Sequence, residues 1–313
     1  DDPHTVITLL NLGTILSDKG EFSEAEPILR EALSRYRRLR GDEHPTAAMC
    51  LNNLALLLKR KGDYQQAASR YREAVRQLRD VHGERHPFVA IALNNLASVL
   101  HDLGNLAEAE ACYREALTIM RRLQGDEHVN VAFLQKNLAE LLRDKGDYAE
   151  AIELYRVVLT RFRDAMGEVD QRTVGMMTHL AIALAKNGDH AEAESLYREA
   201  LNLLRNARSI DHVGVACTQC EYGRLLIKTE RLDDAENHLN KAYVALLQAE
   251  PAELALLQRM GFRGKLYGAF VDLYDHWHAS DPAGFHDLKA AEWWTQLNAL
   301  DASPVTEPSP TVP

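Results

Sequence analysis

Residues 51–74 read LNNLALLLKRKGDYQQAASRYREA, and this stretch decides the fold. Apolar residues recur at helical spacing over its first eight positions and again from Tyr64 onward. Gly62 and Asp63 separate the two runs, and glycine readily takes the left-handed conformation that ends a helix. The stretch therefore predicts two amphipathic helices joined by a tight turn.

The same stretch recurs every 42 residues over most of the 313-residue chain. Its turn glycines are Gly20, Gly62, Gly104, Gly146 and Gly188, and Glu230 stands at the sixth step. A polar residue after the turn, followed three positions later by Gln or Glu, predicts a capping box. The pairs are Asp63/Gln66, Asn105/Glu108, Asp147/Glu150 and Asp189/Glu192. One hairpin cannot bury both of its apolar faces, so six stacked units are predicted.

Composition excludes several classes of protein. The chain has 36 Lys and Arg residues against 46 Asp and Glu residues, a net charge of −10, which argues against a general nucleic-acid binder. No apolar stretch approaches the roughly 18 residues of a membrane helix. Four cysteines are too few for a disulfide framework and are typical of reduced thiols. The sequence thus predicts a cytoplasmic protein without a membrane anchor.

The repeat resembles a known family. Leu54-Ala55-x-x-Leu58, followed by Ala67-x-x-x-Tyr71 and Ala74, is similar to the tetratricopeptide repeat (TPR). The 42-residue period and the segment at residues 41–55 resemble its kinesin-light-chain type. The resemblance implies an all-α fold, a right-handed superhelical α-solenoid of stacked helical hairpins, with the first helix of each hairpin lining a concave groove.

The predicted domain organisation has three parts. Residues 1–250 form six 42-residue TPR units, and residues 251–300 form a degenerate seventh hairpin that caps the stack, its first helix running from about Glu253 to His278. Residues 301–313, rich in proline, form a disordered tail. The segment at residues 289–293 resembles the last helix of repeat arrays in large bacterial signalling proteins, such as those fused to serine/threonine kinases.

The resemblance also implies which side chains face the groove. The asparagines among them are Asn11, Asn52, Asn53, Asn94, Asn95 and Asn137. An Asn side chain offers a donor and an acceptor, which suits the backbone of an extended peptide. The alternative is that these residues bond to neighbouring helices and shape the array, and both roles can hold at once. Ile7, Met49, Ile91 and Phe133 fall on groove positions too.

The basic candidates on the same face are Lys59, Arg60, His101, Lys136, Arg143 and His179. The lysines and arginines on groove positions, with Lys186 included, number five against the four carboxylates Asp18, Asp102, Glu140 and Asp144. This excess of one positive charge contrasts with the acidic chain and predicts an acidic or mixed-charge peptide partner. The alternative is a solvated mixed-charge face without selectivity.

Other motifs point to structure rather than chemistry. Cys217-x-x-Cys220 lacks two further ligands, which favours thiols over a metal site. His44, His86, His128 and His212 recur at one loop position, which predicts a capping or loop-ordering role. No phosphate-binding loop, nucleophile elbow or zinc-protease motif occurs, so neither an enzyme nor a cofactor is predicted.

The sequence therefore predicts a protein–protein interaction module that holds an extended peptide or partner segment in its groove. One alternative is an architectural or oligomerisation spacer within a larger signalling protein. A hydrolytic enzyme is the second alternative, and the absence of catalytic motifs disfavours it.

Overall fold

The computed structural model describes residues 3–41, 45–207, 211–282, 284 and 286–302. Helices make up nearly all of this part of the chain, which contains no β-strand, so the all-α prediction is confirmed. The helices are α1 (Pro3–Lys19), α2 (Phe22–Arg40), α3 (Pro45–Arg60), α4 (Tyr64–His82), α5 (Pro87–Asp102), α6 (Leu106–Gln124), α7 (Val129–Lys145), α8 (Tyr148–Met166), α9 (Gln171–Asn187), α10 (His190–Asn206), α11 (His212–Lys228), α12 (Leu232–Gln248), α13 (Pro251–Arg259), α14 (Phe262–Ser280) and α15 (His286–Ala302).

Successive helices pair into hairpins because small residues let them approach. Ala55 of α3 and Ala67 of α4 are both fully buried where these two helices pack together. In the first hairpin Gly13 takes the place of Ala55, and a Cβ there would lie 2.6 Å from the side chain of Leu29. The space between the paired helices is therefore set by the smallest side chains.

The chain divides into two compact units, Asp1–Arg161 and Phe162–Pro313, with the division inside α8. In the first unit α2 packs on α3, α4 on α5 and α6 on α7, so each hairpin contacts the next one along the chain. In the second unit α9 pairs with α10 and α11 with α12, and α10 packs on α11. Each unit thus follows the nearest-neighbour order of a repeat stack.

The turn glycines behave as predicted. All five have positive φ, for example 88° at Gly62 and 101° at Gly188, where a side chain would be strained. Glu230 takes the same place in the sixth repeat with φ of 59°, and it is the one non-glycine residue of the described chain with positive φ. The sixth hairpin therefore keeps the turn without the residue that favours it.

The repeated capping box was predicted too widely. Asp63 does cap α4 and accepts from the backbone N of Gln66 at 3.2 Å, but its own N–H donates to the carbonyl of Leu58, so only half of the predicted box forms. Asn105 and Asp189 make no side-chain cap, so the prediction was wrong at these two turns.

The backbone N–H groups of Asn105 and Asp189 donate to carbonyls of the preceding helices, those of Leu100 at 2.8 Å and Leu184 at 2.9 Å, so they are not available to a capping box. Glu108, which would have completed the box with Asn105, forms an ion pair of 2.9 Å with Arg72 of α4. Asp189 accepts from Nδ2 of Asn187 at 2.7 Å.

Two rows of Arg–Glu pairs connect second helices of consecutive hairpins. One row has Arg37–Glu73 at 2.5 Å and Arg79–Glu115 at 2.6 Å in the first unit, and Arg163–Glu199 at 2.7 Å in the second. The other has Arg72–Glu108 and Arg114–Glu150, both at 2.9 Å. Each pair spans 36 residues, so the repeat itself places the charges in register.

The first row is interrupted between α6 and α8. Arg121 stands in the arginine position, but the glutamate position is occupied by Val157, which is 40% exposed. Arg121 instead pairs with Asp126 of its own loop at 2.7 Å. Since Arg79 pairs with both Glu84 and Glu115, one arginine in this position can serve two carboxylates.

Val157→Glu should therefore restore the missing pair and raise the free energy of unfolding by about 0.2–1 kcal/mol, the range of exposed ion pairs. Urea denaturation of the two proteins measures the difference. Val157→Gln is the matched control, because it has the same length and helix propensity without the charge. Equal stability of the Glu and Gln variants would contradict the predicted pairing.

Ala97 tests the close approach of the paired helices. It is fully buried in α5, and Ala97→Leu should overpack the contact with α6 at a cost of about 1–3 kcal/mol. Thermal or urea unfolding measures the loss, and Ala107→Leu on the exposed side of α6 is the control. An unchanged unfolding curve for Ala97→Leu would show that the helix register is wrong.

The C-terminal segment differs from prediction in its first helix and in its end. The single helix expected from about Glu253 to His278 is two helices, α13 and α14, because Gly261 takes a left-handed conformation with φ of 61°. α14 packs against α11, α12 and α15. Trp293 of α15 stacks on Phe270 of α14 with ring centroids 4.1 Å apart.

These contacts form an aromatic core for the last hairpin, whose capping role stays a prediction. Its second helix extends to Ala302, beyond the predicted boundary at residue 300. Residues 303–313, where the disordered tail was predicted, lie outside the described residues.

Candidate peptide-binding face

The first helices of the first unit carry nearly all of the predicted binding residues. We call the surface of α1, α3, α5 and α7 that bears them the first-helix face. The asparagines of α3, α5 and α7 are half-buried there, and Asn11 of α1 is exposed. His179 lies on α9, which belongs to the second unit.

The asparagines hydrogen-bond from one hairpin to the next. Asn95 donates from Nδ2 to Oδ1 of Asn52 at 2.9 Å, and Asn137 donates in the same way to Asn94 at 2.8 Å. Asn53 donates to Oγ1 of Thr14 at 3.3 Å. We call these five asparagines and Thr14 the asparagine ladder.

The asparagine ladder realises the structural role that the sequence left open. Its bonds join α1 to α3, α3 to α5, and α5 to α7, so they fix the orientation of each amide. Each amide nevertheless has two N–H groups and two carbonyl lone pairs, more than these bonds use. Binding of a peptide by the remaining groups stays a prediction.

Each basic candidate in the first unit lies against a carboxylate. Lys59 pairs with Asp102 of α5 at 3.0 Å, and Arg60 pairs with Asp18 of α1. The other pairs are His101–Asp144 at 3.1 Å, Lys136–Glu140 at 2.8 Å and Arg143–Asp144 at 2.8 Å. The positive charge inferred from the sequence is therefore largely balanced within the face itself.

The sequence could not have given these pairings from local spacing. Lys59–Asp102 and His101–Asp144 each span 43 residues, one repeat plus one position. Such pairs require the stacking geometry of neighbouring first helices. The expected acidic or mixed-charge ligand was inferred from the number of charged residues, without the ion pairs that these residues form with one another.

Asp144 shows the electrostatic effect of this pairing. Burial disfavours its charged form, but the hydrogen bond from His101 and the charge of Arg143 outweigh that cost and hold the pKa of Asp144 below its ordinary value. The ionised carboxylate thus links α5 to α7. Its contribution to stability is present above the unfolded pKa of about 3.9 and is lost as pH falls through the lower folded pKa.

Asp144→Asn should therefore destabilise the protein near neutral pH and matter progressively less in acid. The measurement is the free energy of unfolding of parent and variant at a series of pH values from 7 down to the limit at which both remain folded. The difference should shrink once the pH falls below about 4. A difference in the free energy of unfolding that stays constant over this pH range would show that ionisation of Asp144 does not stabilise the fold.

Apolar side chains share the first-helix face with the ladder. Ile7, Met49, Ile91 and Phe133 each lie four residues before Asn11, Asn53, Asn95 or Asn137, so each pair is on one side of its helix. They are 48%, 51%, 49% and 36% exposed. We call these four residues the apolar column. The sequence placed them in the groove but assigned them no role, although their 42-residue spacing was already visible.

A cavity of about 350 Å³ in the first unit is lined by residues of α2, α3 and α4. Arginines dominate its lining: Arg30, Arg37, Arg38 and Arg70, with Leu33, Ser34 and Leu54. Glu73 pairs with Arg37 and Arg70, and Glu26 pairs with Arg30. These carboxylates neutralise much of the positive charge that would be required to bind an anion in the cavity.

The cysteines and loop histidines have structural environments. Burial raises the pKa of the Cys217 thiol to about 11, and the Cys220 thiol is also shifted upward. Among the described residues no cluster of three or more His, Cys, Asp or Glu side chains is arranged to hold a metal ion. His86 and His128 accept from backbone N–H groups at the starts of α5 and α7, which confirms their predicted capping role.

The remaining two loop histidines differ. His212 pairs with Glu253 at 3.0 Å instead of capping a helix, and His44 lies outside the described residues. The described helices also include none long and apolar enough to cross a membrane.

The repeat geometry agrees with a family model. The model for the tetratricopeptide repeat matches residues 4–80, 88–164 and 172–246. The chain belongs to the tetratricopeptide-repeat family. The predicted fold class, an α-solenoid of stacked TPR hairpins, is thereby confirmed. Arrays of this family are protein–protein interaction scaffolds, and this chain carries such a scaffold.

Solved structures with the same TPR fold include kinesin light chain-like proteins. An array of nearly identical TPR-like repeats of the kinesin light chain kind from Podosopora anserina is 21% identical, covers 67% of this chain and 100% of its own, and has a TM-score of 0.60. BtubC (BKLC) from P. vanneervenii is 20% identical over 75% of this chain and 90% of its own, with a TM-score of 0.59.

A third TPR structure spans more of the chain. The tetratricopeptide repeat protein from Parabacteroides merdae is 18% identical, covers 95% of this chain and 93% of its own, and has a TM-score of 0.63. None of the curated proteins matches the sequence. At these identities the solved structures establish the fold and leave the ligand to be argued from the first-helix face.

Proposed function

We propose that this TPR protein binds an extended segment of a partner protein along the first-helix face of its first unit. The asparagine ladder is the observation that carries the proposal. It holds amide groups at two adjacent positions of the first helices α3, α5 and α7, oriented by bonds of 2.8–3.3 Å. Oriented amides with spare donors and acceptors are suited to a peptide backbone.

The spacing of the helices fits this ligand. Neighbouring packed helices lie about 10 Å apart, and an extended chain advances about 3.3 Å per residue. One rung of the asparagine ladder would therefore serve about every third peptide residue. Recognition of backbone groups at such intervals holds an extended segment without requiring a particular sequence.

The architectural alternative also has an observation in its favour. Ion pairs such as Arg79–Glu115 connect the second helices of consecutive hairpins. Hydrogen bonds between asparagine amides, such as that from Asn95 to Asn52, connect their first helices. A stack connected in this way would serve as a spacer within a larger signalling protein. The TPR fold is generally non-enzymatic, and hydrolytic activity has no supporting feature among the residues discussed above.

The test uses peptides selected for binding to the full chain from a random display library. Replacing Asn53 and Asn95 by Ala should remove hydrogen bonds worth about 0.5–1.5 kcal/mol each, so the affinity of the double variant should fall by about fivefold to 150-fold. Fluorescence anisotropy with a labelled selected peptide measures the dissociation constant. Circular dichroism checks that the variant stays folded.

Two controls separate binding from architecture. Thr14→Val removes a ladder acceptor but leaves every amide in place, so it should change affinity less than Asn53→Ala. Arg72→Ala with Arg114→Ala alters the second helices and should leave affinity unchanged. Binding that survives the asparagine changes and disappears with the second-helix changes would favour the architectural alternative.

A further inference from the structure

The apolar column defines the chemistry of the ligand more closely. We infer that the first-helix face binds an uncharged, extended peptide that carries an aliphatic or aromatic side chain at every third residue. The asparagine ladder would contact the peptide backbone, and the apolar column would contact those side chains. This inference rests on the proposed function and adds the class of partner to it.

The residues of the apolar column are exposed even where their helix has a neighbour on each side, unlike other apolar residues of α1. Leu12 and Ile15 of α1 are 44% and 53% exposed, but their equivalents Leu54 and Leu57 are 1% and 0% exposed because α2 packs on α3. Leu12 and Ile15 are exposed because no helix precedes α1 in the described stack to cover them.

Met49 and Ile91 behave in the opposite way. Both lie on helices that have a neighbour on each side, since α3 contacts α1 and α5, and α5 contacts α3 and α7. Each is still about half exposed. Stacking therefore does not cover this position, and the apolar surface recurs at each of four consecutive first helices.

Charge complementarity favours an uncharged ligand. Lys59 and His101 are paired with the carboxylates of Asp102 and Asp144 on the next first helix. A charged peptide would have to break pairs that link the hairpins before it could use either partner. An apolar side chain that packs on Met49 or Ile91 requires no such exchange.

The distance between neighbouring first helices favours one backbone conformation of the bound peptide. A polyproline II segment has three residues per turn and a rise of about 3.1 Å, so every third side chain returns to one face after about 9 Å. This distance is close to the roughly 10 Å between packed helices. The conformation has no internal hydrogen bonds, so its N–H and C=O groups are available to the ladder amides. A β-strand, whose side chains alternate, would match the column less well.

The test compares three synthetic fluorescein-labelled peptides of equal length on the full chain. The first has Leu at every third position among Pro and Gln, the second has the same composition with Leu at alternate positions, and the third has Glu in place of each Leu. Fluorescence anisotropy gives each dissociation constant. The first peptide should bind about tenfold or more tightly than either of the others.

Variants of the protein locate the contact. Met49→Gln and Ile91→Gln should each weaken binding of the first peptide about threefold to tenfold, since each removes the packing of one half-exposed apolar side chain. Both residues are already half exposed, so the fold should be kept, which circular dichroism checks. Leu123→Gln, on α6 and 47% exposed, is the matched control and should bind like the parent.

The outcomes separate this inference from the proposed function. Tighter binding of the Glu peptide, or equal binding of the two Leu peptides, would overturn the apolar, three-residue specificity. It would leave the proposed function standing if library-selected peptides still lose affinity with Asn53→Ala and Asn95→Ala. Selected peptides insensitive to both the asparagine and the column variants would overturn both.

Discussion

The close approach of two helices through alanine is the constraint on which the rest of this structure depends. Ala55 and Ala67, and one repeat later Ala97 and Ala109, are fully buried where a first helix meets its second. Where glycine replaces alanine, as at Gly223, a Cβ would lie 2.8 Å from Leu239. This contact fixes the rotation of each helix about its axis. The 3.6-residue period then decides which side chains meet the next hairpin and which remain on the outer faces.

Polar contacts follow from that register rather than create it. Pairs between second helices span 36 residues and those between first helices span 39 to 43, so every interface in the first unit is bridged on both sides. Exposed pairs of this kind contribute little individually. Their arrangement shows instead that the charged side chains of neighbouring second helices neutralise one another. On the first helices the same neutralisation leaves amides and apolar side chains as the groups that can recognise a ligand.

The sequence predicted those features that depend on local spacing. The hairpins, the left-handed turn glycines and the cap at Asp63 all follow from residues within a few positions of one another. It failed where a backbone N–H is already used, as at Asn105, whose N–H donates to the carbonyl of Leu100 and cannot complete a capping box. The break at Gly261 was missed because the apolar period continues through it. The face was located through the family resemblance, but the bonds among its asparagines require the stacked geometry.

The apolar column illustrates the same division. The family resemblance placed its residues on the groove, but it could not give their exposure, because the equivalent residues Leu12 and Leu54 are 44% and 1% exposed in the fold. Methyl NMR of protein labelled at Ile and Met, titrated with a bound peptide, tests the location of the ligand most directly. The methyl signals of Ile7, Met49 and Ile91 should shift while those of Ile28 and Ile119 on second helices stay in place. Shifts confined to Ile28 and Ile119 would contradict binding at the first-helix face.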